Sequence, residues 1–370
     1  MRTWISWLGC LVLALGPTPA ADCAPFQRGD VLVLDGAGTT LWRVDPHGAG
    51  ATPFSPPEFV VASLFDQPAD VAVDPAGHVL VVNAGDGRLV EVDPVSGLQS
   101  YAQTCTFDLQ NGLVCNDVVF PSAPGGIDAD AATGAFYVTT AGGVRRLVFS
   151  ALLGWGVTTV GDAAGAELGA AYESFSNAVY FVDGSAHVMK ADVGTGLFSA
   201  PFAPTPGAAA GDVAADTDTN VVFFAQRFAA GSGNCLAPSA IMAFDAVLAG
   251  VGPVASPSRV GAEYACPRLL AWTPFTAPAS RFSLFSLEHA IGVGLPLETL
   301  VRIDEPAGGG DPIATPIADS TQIGADWRAL AVYVPEPGGV ASELAACAAL
   351  ALRARRPHAR RPASPRRRDR

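Results

Sequence analysis

Asp70-Val-Ala-Val-Asp-Pro-Ala-Gly-His-Val-Leu-Val-Val-Asn83 is the most informative stretch of this 370-residue chain. It reads as a short small-residue strand, a tight Asp-Pro-Ala-Gly turn, and a second strand apolar at every step. Turns of this composition come from side chains that hydrogen-bond their own backbone or supply φ > 0. An uninterrupted β-branched run is what a strand covered on both faces requires. The phrase returns as Gly126-Ile-Asp-Ala-Asp-Ala-Ala-Thr-Gly-Ala-Phe-Tyr-Val-Thr139 and, degenerate, as Leu168-Gly-Ala-Ala-Tyr-Glu-Ser-Phe-Ser-Asn-Ala-Val-Tyr-Phe-Val182. It appears again as Asp212-Val-Ala-Ala-Asp-Thr-Asp-Thr-Asn-Val-Val-Phe-Phe224. A fifth copy is split between Arg268–Trp272 and Arg281–Leu287.

A third strand follows some copies, as in Gly87–Pro94 and Ala186–Asp192, with the alternation of a half-exposed strand. A weaker fourth, such as Leu98–Ala102, comes last. Four strands recurring every 40 to 60 residues are the signature of propeller blades. The ends complete the count. Residues 31–35 and 40–45 look like second and third strands with no first strand before them. Trp327–Tyr333 looks like a first strand with nothing after it. Ring closure by the last strand satisfies both and removes the open sheet edges. The fold class expected is therefore all-β, a six-bladed β-propeller of four-stranded antiparallel blades spanning residues 21–334. The alternatives are an irregular β-sandwich, or a seven-bladed ring if residues 235–265 hold a further unit.

These phrases, and Asn83-Ala-Gly-Asp-Gly-Arg-Leu-Val-Glu-Val-Asp93 above all, resemble the NHL-repeat and SMP-30-like propellers. The resemblance is loose over residues 29–334 and implies a fold; propellers host binding, hydrolysis and lyase chemistry alike. SMP-30-like enzymes hold a metal with a Glu and Asn/Asp cluster in the channel. Here Glu167 only adjoins the aligned channel position, on the degenerate copy.

The two ends carry address signals. Arg2, the apolar run Trp4–Leu15 and Thr18-Pro19-Ala20 form a signal peptide, residues 1–20, with cleavage expected after Ala20. Residues 335–370 begin Pro335-Glu336-Pro337, continue into a short apolar helix and end in arginines. This order resembles the PEP-CTERM sorting signal. The resemblance implies an exosortase-type processing partner, transient membrane contact, and an exported protein at the cell surface or outside the cell. Glu343 interrupts the apolar segment, which is shorter than the about 20 residues of a span.

Charge divides the same way. Residues 21–352 hold twelve Lys and Arg against 34 Asp and Glu, a net charge of −22; residues 353–370 hold nine Arg against Asp369, a net charge of +8. A body this acidic repels phosphate backbones and excludes nucleic acid as a partner. Export places the cysteines in an oxidising compartment. Cys105 and Cys115 bracket a polar loop and are expected to pair; Cys235 and Cys266 form the natural second pair, leaving Cys23.

Propeller sites lie where the innermost strands converge on the channel. Aligning the phrases puts Asp70, Gly126, Leu168, Asp212, Arg268 and Arg328 at one channel-mouth position. Asp128, two residues further on, points the same way. Such a set suits a polar ligand, or a hard cation such as calcium; the plainer expectation is that these groups pair with one another and seal the channel. Asp74, Asp130 and Asp216 read as turn-formers, and Asp216-x-Asp218-x-Asn220 as a hairpin rather than a calcium loop. No GxSxG, HExxH or phosphate-cradling glycine motif occurs. The sequence thus points to an exported ligand- or partner-binding propeller without catalytic residues or cofactor, with a metal-dependent lactonase-like hydrolase as the alternative.

Overall fold

The computed structural model describes residues 26–334, apart from residue 28 and residues 36–39, 56–62, 163–167, 203–207, 228–238, 250–257, 265, 274–279, 290–297, 307–310 and 324–326. The leader, Cys10, Cys23, Glu167, Cys235, Cys347 and the tail with Pro335, Glu336 and Pro337 lie outside the described residues.

Six antiparallel sheets stand in a ring: the chain is a six-bladed β-propeller. Blade 1 contains β1 (Val31–Leu34), β2 (Leu41–Val44) and β3 (Ala51–Ser55). Blade 2 contains β4 (Pro68–Val73), β5 (Val79–Asn83), β6 (Leu89–Val92) and β7 (Gln99–Tyr101). After β8 (Gln103–Asp108) and β9 (Gly112–Asp117), blade 3 follows with β10 (Pro124–Ala129), β11 (Phe136–Thr140), β12 (Gly143–Ser150) and β13 (Gly154–Gly161). Blade 4 contains β14 (Leu168–Glu173), β15 (Ala178–Val182), β16 (Val188–Asp192) and β17 (Phe198–Phe202). Blade 5 contains β18 (Ala209–Asp216), β19 (Val221–Arg227), β20 (Ser239–Asp245) and β21 (Ser258–Tyr264). Blade 6 contains β22 (Pro267–Thr273), β23 (Ser280–His289), β24 (Glu298–Pro306) and β25 (Ile313–Asp319).

The last strand, β26 (Ala329–Val332), lies antiparallel beside β1, with Val31 opposite Val332 and Leu34 opposite Ala329. It supplies the inner strand that blade 1 lacks. Residues 239–245 and 258–264 are the third and fourth strands of blade 5, so no seventh unit hides there.

The second strand of a blade explains why the repeat is so apolar. Val79–Asn83, Phe136–Thr140 and Ala178–Val182 are buried at every residue. Alternation sends Val79 and Val81 toward Leu32 and Leu34 of blade 1. It sends Leu80 and Val82 toward Phe136, Val138 and Trp155 of blade 3. Each blade therefore needs a neighbour on both faces, and six interblade cores close the circle. Five inner strands also carry a bulge: register shifts at Pro68/Asp70, Pro124/Gly126, Leu168/Ala171, Ala210/Val213 and Pro267/Leu269. Bulges bend a strand and re-aim the side chains that follow.

The segment bracketed by Cys105 and Cys115 is not a loop but the hairpin β8–β9, attached to the outer edge of blade 3 through Thr104 opposite Gly154. Cys105 and Cys115 are directly opposed, bonded, and have Cα atoms 4.0 Å apart. Cys266 is buried and also oxidised. The hairpin exposes Phe107 and Leu109 and has little core of its own, so the disulfide is its main constraint. Closing a loop of this size is worth about 2.5 kcal/mol. Replacing both cysteines by serine should therefore speed proteolysis within residues 103–117 while leaving the melting temperature of the ring unchanged. An equal fall in both would show that the hairpin is integral to the ring.

Candidate functional site

The channel is divided into two cavities that share Asp70 and Asp212. The first, of about 760 Å³, is floored by Asp70, Asp128 and Asp212 and walled by Tyr172, Trp272 and Tyr333. The second, of about 670 Å³, is lined by Arg227, Arg268 and Arg328 together with Leu168, Leu269 and the same two aspartates. All five candidate ligand residues thus border the channel: Asp128 on the first side, Arg268 and Arg328 on the second, Asp70 and Asp212 on both.

The aspartates do not pair with the arginines, contrary to the sealed channel expected from the sequence. Each carboxylate bridges two blades through backbone N–H groups. Val71 N donates to Asp70 Oδ1 at 2.9 Å and Ile127 N of blade 3 donates to Oδ2 at 2.9 Å. Ala129 N donates to Asp128 Oδ1 at 2.8 Å, and Tyr172 N of blade 4 to Oδ2 at 2.7 Å. Val213 N donates to Asp212 Oδ1 at 2.8 Å, and Leu270 N of blade 6 to Oδ2 at 2.9 Å. The geometric reason is the stagger of the inner strands, which sets the N–H groups of the next blade opposite each carboxylate. Blade 4 has Gly169 in the corresponding region, at φ 64°; a Cβ there would stand 2.0 Å from Asp212 Oδ1. Glycine is what permits blades 4 and 5 to approach.

These carboxyls are half-buried where they line the cavities, yet protein surrounds them closely enough that loss of hydration dominates their acidity. Asp128 is pushed up to about 7, against the pull of its two N–H donors. Asp70 is raised well above the usual carboxylate range, by burial first and by facing Asp212 second; Asp212 is raised by burial as well. Hydrogen bonds to backbone favour the ionised form, yet desolvation outweighs them.

Both oxygens of each aspartate are already committed to backbone donors. Among the described residues, no three His, Cys, Asp or Glu side chains converge as a cation cluster. The described lining holds aspartates but no glutamate, so it does not fit the metal set that the resemblance to SMP-30-like enzymes implies.

Asp74, Asp130 and Asp216 are buried turn-formers, as read. Asp74 Oδ1 accepts from His78 N at 2.8 Å, Asp130 Oδ1 from Ala132 N at 2.9 Å and Asp216 Oδ1 from Asp218 N at 2.8 Å. Blade 4 substitutes Glu173, which accepts from Phe175 N and Ser176 N. Asn220 closes the blade 5 hairpin at φ 62°.

Three cavity residues escaped the sequence reading. Tyr172 stacks on Tyr137, with ring centroids 4.5 Å apart and planes inclined by 11°. Trp272 Nε1 is buried without a hydrogen-bond partner. Arg227 terminates β19, beyond the quoted Asp212–Phe224 phrase. Extending each phrase to the full length of its second strand would have found Arg227.

No protein-family model matches the sequence, and no curated protein matches it either. Solved structures do. A chain of the nidogen/laminin complex superimposes with a TM-score of 0.55 at 9% identity, covering 84% of this chain and all of that one. The PQQ-bound aldose sugar dehydrogenase of Streptomyces coelicolor follows at TM-score 0.48 and 15% identity, covering 84% and 91% of the two chains. Virginiamycin B lyase of Staphylococcus aureus gives 0.44 at 13% identity, covering 80% and 83%. The likeness is one of fold. Fold alone does not fix function, which is argued from the cavities themselves.

Proposed function

We propose that this chain is an exported, non-catalytic binding propeller at the cell surface or in the extracellular matrix, holding a small polar ligand in the first cavity. The observation that carries this is the placing of three half-buried carboxyls in one cavity with the aromatic residues Tyr172, Trp272 and Tyr333. Pockets of a few hundred Å³ with apolar walls and few convergent polar groups are the ordinary form of a small-molecule site. Each carboxylate oxygen keeps acceptor capacity beyond its one backbone donor, so these acids favour a ligand that donates hydrogen bonds or carries positive charge. An amino- or hydroxyl-bearing molecule meets that demand.

The address belongs to the same proposal. Residues 1–20 direct export, and residues 335–370 hold the protein transiently at the membrane until an exosortase-type enzyme cuts near Pro335-Glu336-Pro337. Among the described residues, no helix is long and apolar enough to cross a membrane.

A thermal-shift screen of amines, polyols and calcium tests the reading. A ligand at a hundredfold excess over its Kd should stabilise the protein by about 2.7 kcal/mol, and Trp272→Phe should weaken that effect. Calcium should produce little shift. A large calcium shift that disappears in Asp70→Ala and Asp212→Ala would overturn the proposal in favour of the metal-dependent hydrolase.

A further inference from the structure

The second cavity has the opposite character. Of the twelve Lys and Arg in residues 21–352, three line this one hollow: Arg227, Arg268 and Arg328. Solubility does not explain that concentration, since the same body carries 34 acids that already keep it charged. Several cations elsewhere sit on carboxylates. Arg43 lies 2.8 Å from Asp30, Arg302 2.9 Å from Asp304 and Arg145 3.0 Å from Asp162. Arg268 has a partner too, Glu298 at 2.9 Å, but the other oxygen of Glu298 is taken by Trp327 N.

Arg227 is different. Its guanidinium lies flat against Gly211, where a Cβ would stand 2.7 Å from Nε and 3.2 Å from Cζ. Nε is buried and, like Arg146 Nε, has no hydrogen-bond partner among the described residues; only Arg227 of the two lines the channel cavity. Burial disfavours its charge, and the neighbouring Arg268 disfavours it further. Asp212 attracts it through space, but its oxygens are held by the backbone N–H groups of Val213 and Leu270 and do not ion-pair with Arg227. A desolvated guanidinium beside a like charge is costly unless something neutralises it. A planar fork of donors meeting that need has one best complement, a carboxylate bound in two-pronged fashion.

We propose that the second cavity binds a small organic carboxylate of about monosaccharide size, with Arg227 gripping the carboxylate and Arg268 and Arg328 ringing it. The hollow of about 670 Å³ falls within the usual range for such ligands. Leu168, Leu269 and Pro124 supply apolar wall for the carbon skeleton. This site does not depend on the reading of the first cavity, with which it shares only Asp70 and Asp212.

Calorimetric titration of the full chain with glucuronate, glucose and inorganic phosphate tests it. Glucuronate and glucose differ only in the carboxylate. Glucuronate should bind, glucose should not, and phosphate should bind more weakly. Arg227→Gln should raise the glucuronate Kd by about tenfold or more, the worth of one charge-assisted contact. Arg227→Lys should not restore it, because an ammonium lacks the fork. Gly211→Ala keeps every charge but displaces the guanidinium, and should weaken binding as well; so should Arg328→Gln, at an exposed position that leaves folding intact. The assignment fails if no glucuronate binding is seen at millimolar concentration, or if glucose or phosphate binds as tightly. It also fails if the Gly211 and Arg328 variants bind glucuronate unchanged.

Discussion

A chain ending at residue 326 does not form the ring. The segment it loses is small, but it supplies the inner strand of blade 1. Trp327, Leu330 and Tyr333 are all buried, and β26 pairs with β1 along its whole length. Removing a buried Trp or Leu side chain costs about 2–5 kcal/mol by itself. Three such side chains, about 6–15 kcal/mol together, already match the about 5–15 kcal/mol that holds an ordinary domain together, before the four lost strand pairings are added. The core between blades 1 and 6, built on Val31, Val33 and Trp327, opens at the same time. Circular dichroism and a guanidinium titration should show no cooperative transition for the shortened chain. A chain ending at residue 334, which keeps β26 and drops only the tail, should unfold like the parent. A normal transition in the shorter chain would mean that β26 is an accessory strand. Trp327→Ala is the milder version and should cost about 3–5 kcal/mol.

That closure was legible because burial on two faces writes itself into sequence. A strand between two blades has no exposed side, so Val79–Val82 and Phe136–Val138 contain no polar residue. The number of such runs, with Val31–Leu34 lacking a strand before it, pointed to six blades, and the strands at 239–245 and 258–264 exclude the seventh. The inner-strand bulges were not legible. They follow from how a strand meets the channel, and residues as unlike as Ala69 and Arg268 occupy them. The β8–β9 hairpin was half legible: the cysteine pairing showed, but Thr-Phe-Asp and Leu-Val-Cys-Asn are too polar and short to read as strands.

The site was legible in place but not in chemistry. Alternation along a strand gave the direction of Asp70, Asp128 and Asp212, and the structure puts them in the channel. What each carboxylate touches depends on the stagger between blades, which no local pattern records. Opposite charges at neighbouring positions suggested ion pairs; the backbone of the next blade reached the carboxylates first. Arg227 was invisible for a related reason. Its importance comes from Gly211 on the adjacent strand, which lets the guanidinium settle where any other residue would push it out.

The protein should lose stability as the pH rises from acid toward neutral. Asp128 carries a value of about 7 in the folded chain against 3.8 for a free side chain. A carboxyl so raised contributes stability that is fully present below 3.8 and is lost as pH climbs through about 7, because the folded state holds the proton longer. That gap corresponds to about 4 kcal/mol at one residue. Asp70 and Asp212 shift in the same direction. So does His78, raised mainly by its hydrogen bond to Asp74, whose contribution is likewise lost on the alkaline side. The opposing groups are Asp93, Asp108 and Asp192, whose turn hydrogen bonds lower them; their contribution disappears only as pH falls below the ordinary carboxylate range. The optimum therefore lies on the acid side of neutrality, at about pH 4–6. Asp128→Asn isolates the cause. It gives up one acceptor for a backbone N–H, so at about pH 5 it should be less stable than the parent by about 1–3 kcal/mol. At about pH 8, where the parent must hold a buried carboxylate, the difference should vanish or reverse. Guanidinium midpoints across that range measure both curves. A parent midpoint that stays level or rises toward pH 8, with the asparagine variant running parallel below it, would show that these carboxyls are ionised throughout, held by their N–H donors against burial.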